Sequence, residues 1–103
     1  MRLDNEKVRA EKLYRVGYVA CIDKYVLASV VTWVVWYDRF FEITQEEYRL
    51  FESDISKLDA LANELREQGE RSERFLFSDK KEENSAEQAL LRQKCANFTG
   101  EQS

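Results

Sequence analysis

Apolar and polar positions along this chain change period several times, and each change marks an element. From Ser29 to Thr44 the sequence reads SVVTWVVWYDRFFEIT, and every residue from Val30 to Tyr37 is β-branched or aromatic. Such side chains lose rotamer freedom in a helix and pack well on a pleated surface, so the stretch predicts a strand, taken as about 25–43. Alternation puts Val31, Trp33, Val35, Tyr37, Arg39, Phe41 and Ile43 on one face and Val30, Thr32, Val34, Trp36, Asp38, Phe40 and Glu42 on the other. The first face is apolar nearly throughout and the second turns mixed after Trp36. The pattern therefore predicts core on both sides through Val35, with Trp33 inside, and one open face beyond it.

Upstream, KLYRVGYVACI keeps Tyr14, Val16, Tyr18, Ala20 and Ile22 on one parity, which predicts a strand over about 12–22 with Gly17 marking a bulge. A helix over 5–23 is the rival reading, because Val8, Leu13, Val16 and Ala20 also stand at roughly helical spacing. Asp23 and Lys24 then join two apolar runs as an antiparallel hairpin, with weak turn chemistry. Residues 1–11 are highly charged and read as a loose arm or a short helix.

Downstream the period becomes helical. Thr44-Gln45-Glu46-Glu47 is a capping box, with Ile43 and Tyr48 at the positions of a hydrophobic staple, and it opens a helix over about 45–52. Ser53 and Asp54 supply a second cap, after which Ile55, Leu58, Leu61, Ala62 and Leu65 recur at helical spacing to about residue 68, before Gly69. RFLFS predicts a third strand, about 73–78, antiparallel to the long one, with Phe75 and Phe77 on one face and Leu76 on the other. Ser85 and Gln88 repeat the capping-box spacing and open a last helix over about 86–96, with Ala86, Ala89 and Leu90 inward; residues 97–103 read as a loose end. Together these elements predict a single α+β domain, a small antiparallel sheet of three strands packed with three helices.

Composition narrows what such a domain does. Its 103 residues contain no histidine, which removes Ser-His-Asp and Cys-His nucleophiles and the common zinc sites. The three glycines, Gly17, Gly69 and Gly100, form no phosphate loop, and two distant cysteines, Cys21 and Cys95, cannot close a Cys₄ site. No catalytic residue, metal or cofactor is expected. The charge-free run between Lys24 and Asp38 is 13 residues, too short for a membrane helix, which takes about 20. With a charged N-terminus and no signal-peptide pattern, the expected compartment is the cytoplasm, with both cysteines as thiols.

Net charge is −4, but residues 42–70 alone hold nine acidic and three basic groups. That concentration disfavours nucleic acid and favours a basic protein partner. Candidate partner-binding residues are Trp36, Asp38 and Arg39, where charges interrupt the aromatic run, together with Glu46, Glu47, Tyr48, Glu52, Asp59 and Glu64 on the acidic helices. For Asp38 and Arg39 the alternative is ion pairing across the sheet.

The run WVVWYDRFFEITQEEYRLF, followed by an acidic helix, RFLFSDKKEEN and a final helix, resembles small α+β proteins of bacteria, among them the cognate immunity proteins of polymorphic and contact-dependent toxins. The resemblance spans about 12–96 and carries no residue over by position. It implies a cytosolic inhibitor that binds one toxin domain tightly, a basic one in many such systems, and does no chemistry; the acidic charge and the short apolar run separately predict neither nucleic acid nor membrane as partner. The alternative is a structural or adaptor module, as a homodimer joined through an exposed sheet edge or aromatic surface.

Overall fold

The alternating runs pair in chain order as an antiparallel meander of five strands, β1 (Asp4–Arg9), β2 (Tyr14–Val19), β3 (Lys24–Val31), β4 (Tyr37–Ile43) and β5 (Phe75–Ser78). Three helices cover it, α1 (Gln45–Ser53), α2 (Ile55–Gln68) and α3 (Ala86–Glu101). This computed structural model describes the backbone of residues 2–101 and the side chains of residues 2–96. The α+β class and the antiparallel sheet follow the sequence pattern, with five strands in place of three.

Two corrections account for the two extra strands, and a third shortens an expected one. Residues 4–9 are neither loose arm nor helix, but an edge strand paired with β2 through Lys7↔Val16, Val8↔Arg15 and Arg9↔Tyr14. Its charged side chains face solvent and neighbouring polar groups, so no apolar alternation announces it. Second, the run 25–43 is two strands, broken by a hairpin tip at residues 32–36. Third, the stretch 12–22 forms only β2 before turning at Ala20–Ile22. Both N-terminal turns share one geometry: three residues of 3-10 helix, Ala10–Lys12 and Ala20–Ile22, then a left-handed residue, Leu13 (φ 58°) or Asp23 (φ 53°).

The register brings two apolar layers together. Leu27 opposes Phe41 and Ala28 opposes Phe40, all four fully buried, so the sheet centre is covered on both faces. One face gathers Tyr14, Val16, Leu27, Phe41, Ile43 and Phe75 against Leu58, Ala62 and Leu65 of α2. The opposite face gathers Leu3, Val19, Val26, Ala28, Phe40 and Phe77 against Cys95 and Leu91 of α3. Phe75 and Phe77 thus point to opposite faces: a bulge between Phe40 and Phe41 leaves Leu76 as the extra residue. Gly17 is not itself bulged. The irregularity lies across from it in β1, between Asp4 and Lys7, and a Cβ on Gly17 would stand 2.5 Å from Leu3 Cβ and 2.9 Å from the Asp4 carbonyl oxygen.

The helix starts match the sequence signals. Thr44 Oγ1 accepts from the Glu47 N–H while Glu47 accepts from the Thr44 N–H; Asp54 caps α2; Ser85 and Gln88 complete a second reciprocal box. The inward face of α3 differs from expectation. Ala86, Ala89 and Leu90 are exposed, while Leu91 and Cys95 pack on the sheet. The helical backbone also continues past residue 97 to Glu101; Gln102 and Ser103 of the expected loose end, and Met1 of the expected arm, lie outside the described residues.

Cys21 and Cys95 are not thiols but a disulfide, their Cα atoms 5.5 Å apart, which ties α3 to the turn between β2 and β3. Nothing in the local sequence around either cysteine signals this, because their approach is set by the packing of elements 74 residues apart. Closing so long a loop restricts the unfolded chain, so the Cys21→Ser/Cys95→Ser variant is expected to lose roughly 2–5 kcal/mol in urea unfolding. The amides of α3 should show the first increase in hydrogen exchange. Gly17→Ala forces a backbone shift in residues 3–4 and is expected to cost roughly 1–3 kcal/mol in the same measurement.

Candidate functional site

The feature that departs furthest from the sequence expectation is the β3–β4 tip. Strand pairing ends at Val31↔Tyr37, and residues 32–36, TWVVW, project beyond the sheet. Val34 is 88% exposed, Val35 72%, Trp33 67% and Trp36 64%. Trp33 is therefore outside, and the expectation of core through Val35 fails beyond Val31. The composition suits a buried strand, but β2 and β5 reach no further than the base of the tip, so nothing covers these side chains.

Beneath the tip lies a tight polar network. Arg39 forms a two-point ion pair with Glu83, Nε to Oε1 at 2.9 Å and Nη2 to Oε2 at 2.6 Å, and the Tyr37 hydroxyl donates to Glu83 Oε2 at 2.7 Å. These bonds, chiefly those from Arg39, hold the Glu83 carboxyl at about 2. Gly69 makes room: it ends α2 at φ 57°, and a Cβ there would lie 2.8 Å from Arg39 Nη1. The 79–84 loop is closed by Asn84, which accepts from the Ser78 N–H at 2.7 Å and donates to the Ser78 carbonyl at 2.8 Å. That closure sets Lys80 Nζ 5.8 Å from the ring centres of both Trp33 and Tyr37. An open cleft of about 270 Å³ results, lined by Trp33, Val34, Val35, Tyr37, Asp79 and Lys80.

The nine sequence candidates separate into two groups. Asp38 pairs with Arg15 across the sheet at 2.9 Å, as in the alternative reading, whereas Arg39 pairs with Glu83 of the turn after β5 and not with a strand neighbour. Asp59 is equally committed: Arg9 bonds it through Nε and Nη2 and Tyr14 donates to it at 2.7 Å. The Arg9 bonds hold that carboxyl below its usual range, while burial, the Asp59 bond and its charge raise the Tyr14 phenol. Burial opposes ionisation of Glu47, yet the Arg74 bonds and the Thr44 N–H outweigh it and keep the carboxyl low. Glu52 pairs with Lys7, and Tyr48 lies half-buried with its hydroxyl donating to the Asn5 carbonyl at 2.6 Å. The remaining three, Trp36, Glu46 and Glu64, are exposed.

Glu67, Glu70 and Glu73, which the candidate set omits, are exposed too and form no ion pair among the described residues. With Glu64 they run along the C-terminal half of α2 and the turn after it. Glu64 and Glu73 border a groove of about 470 Å³ shared with Gln68, Arg71 and Arg74. The helical period of α2 held the signal for Glu67; Glu70 and Glu73 depend on the turn that follows. Among the described residues no three cysteine or carboxylate side chains group as metal ligands, and no helix is long and apolar enough to cross a membrane. Comparison with known proteins finds no matching family model, no similar curated protein and no similar solved structure.

The Arg39–Glu83 pair gives a pH signature. A carboxyl lowered in the folded state stabilises fully above its unfolded value, and that stability is lost as pH falls through the folded value. Lowering from 4.5 to about 2 is worth up to roughly 3 kcal/mol, so stability should fall between about pH 5 and pH 2. Glu83→Gln is expected to lower stability at pH 7 and flatten this part of the profile, measured by urea unfolding at stepped pH.

Proposed function

We propose that this protein acts by binding rather than by chemistry, as an inhibitor of the immunity type that grips a basic protein domain through its acidic helical side. The observation that carries this reading is the row Glu64, Glu67, Glu70 and Glu73. These carboxylates are exposed and form no ion pair among the described residues, Glu64 accepting a 3.4 Å bond from Gln68 Nε2, whereas Glu83 and Asp59 are each held by an arginine. Surface carboxylates outside ion pairs attract a basic partner at long range and speed its approach. Glu46, at the start of α1, extends the same acidic character. A carboxylate such as Asp59 or Glu83 is held by an arginine and does not serve as an acid or base near neutral pH.

A structural module built through a sheet edge is the second reading, and it has less support. The β1 edge carries Asp4, Glu6, Lys7 and Arg9 and an irregular register, and β5 is four residues long; both features resist edge pairing. The closed disulfide moves the proposed compartment from the cytoplasm to an oxidising one.

The test is co-expression with the product of the adjacent gene. That product should be toxic alone and harmless with this protein, and a product harmless alone would sink the toxin reading. Glu64→Lys/Glu67→Lys/Glu70→Lys should slow association at low salt by at least about tenfold. Because the three side chains are exposed, the melting temperature should change little. An association rate unchanged by the triple reversal would reduce this row to ordinary solvated surface.

A further inference from the structure

Six large apolar side chains stand exposed among the described residues, and four of them, Trp33, Val34, Val35 and Trp36, are consecutive at the β3–β4 tip. Scattered exposed apolar residues are ordinary, but a contiguous protruding set is not. We propose that this tip docks the protein on the surface of a phospholipid bilayer. Val34 and Val35 enter the acyl boundary, Trp33 and Trp36 sit at headgroup depth, and Lys80 and Lys81 lie against lipid phosphates. The inference goes beyond the proposed function: it uses a different element and stands whatever the acidic helices bind. It also departs from the expectation of no membrane partner, which rested on the lack of a spanning segment, a separate matter from peripheral docking.

Three observations favour a bilayer. The first is the order of side chains along the protrusion. The aliphatic pair is the most exposed, the tryptophans flank it in the chain, and Tyr37 and the Lys80 amine follow at the base, Nζ 5.8 Å from the Trp33 and Tyr37 rings. Bilayers sort side chains in that sequence, with acyl chains meeting aliphatic groups, the interface meeting Trp and Tyr, and lysines reaching phosphate.

The second is charge. The carboxylates at the base of the tip, Asp38, Asp79 and Glu83, are each paired with an arginine, Arg15, Arg92 and Arg39. Lys80 and Lys81 then outnumber Glu82 in the adjoining loop, which complements anionic headgroups.

The third is area. With aromatic side chains at 150–250 Å² each, the tip offers roughly 500 Å², short of the ~800 Å² that each partner gives a standard protein interface. A second copy meeting it tip to tip falls short for the same reason, whereas a bilayer needs no matching surface. The tip is also firmly mounted, through the Asp79 N–H to the Asp38 carbonyl at 3.0 Å and the Tyr37–Glu83–Arg39 bonds.

Trp33 and Trp36 are the only tryptophans, so intrinsic fluorescence reports on the tip alone. The whole chain is titrated with large unilamellar vesicles of phosphatidylcholine and phosphatidylglycerol at 3:1, and separately of phosphatidylcholine alone. Expected are a blue-shifted emission, protection from acrylamide and co-sedimentation, stronger with the anionic vesicles. Val34→Ser/Val35→Ser keeps both tryptophans and alters only exposed side chains. Its circular dichroism and melting should match the parent, and its partition should fall at least about tenfold, given the loss of apolar area. Lys80→Glu/Lys81→Glu should remove the preference for anionic vesicles, a change of several-fold.

No shift and no sedimentation at millimolar lipid would overturn the proposal, as would equal partition by the folded serine variant. Concentration-dependent dimers abolished by the serine variant, without vesicle binding, would assign the tip to a second copy instead.

Discussion

A sheet buried on both faces must be covered on both, and that demand organises this molecule. Leu27, Ala28, Phe40 and Phe41 lie at the sheet centre with no exposure, two to each face, so a helix layer is required above and below. The α1–α2 pair meets the demand on one side with Leu58, Ala62 and Leu65, a full apolar stripe. On the other side the described part of α3 offers Leu91 and Cys95, with an ion pair from Arg92 to Asp79. Cys95 is at once a core residue and the covalent link that holds α3 against the sheet.

The same constraint explains the tip. β3 and β4 run as far as Val31 and Tyr37, but cover from the flanking strands and helices stops near Ser29 and Arg39. Beyond that point the hairpin leaves the layered body while its sequence stays apolar. Below the tip, arginine–carboxylate pairs neutralise one another, so the base is polar yet electrically quiet. Apolar protrusion and paired base together set this end of the sheet apart from the acidic flank along α2, so the two proposals rest on separate surfaces of the molecule.

Local chemistry was readable where a residue acts on its own neighbours. Thr44 with Glu47, Asp54 with Lys57 and Ser85 with Gln88 each set a helix start through bonds spanning three residues, and these boundaries came out as the spacing requires. The stripe Leu58-Ala62-Leu65 did likewise. Reading failed where the deciding partner was remote in sequence. The charged strand β1 is held by β2, by the Tyr48 hydroxyl on the Asn5 carbonyl and by the Arg9–Asp59 and Lys7–Glu52 pairs, none visible in DNEKVR itself. Leu90 and Leu91 are equally apolar, and only the position of α3 on the sheet buries one and exposes the other.

The sequence by itself determined the α+β class, the antiparallel order, the three helices and the lack of histidine chemistry, because period, caps and composition are properties of short windows. Tertiary structure alone decided which acidic residues are spoken for, that two cysteines meet, and that TWVVW is surface rather than core. Val34 in a buried strand and Val34 at a hairpin tip have the same propensity. What distinguishes them is whether another element lies above, and that depends on where the rest of the chain packs.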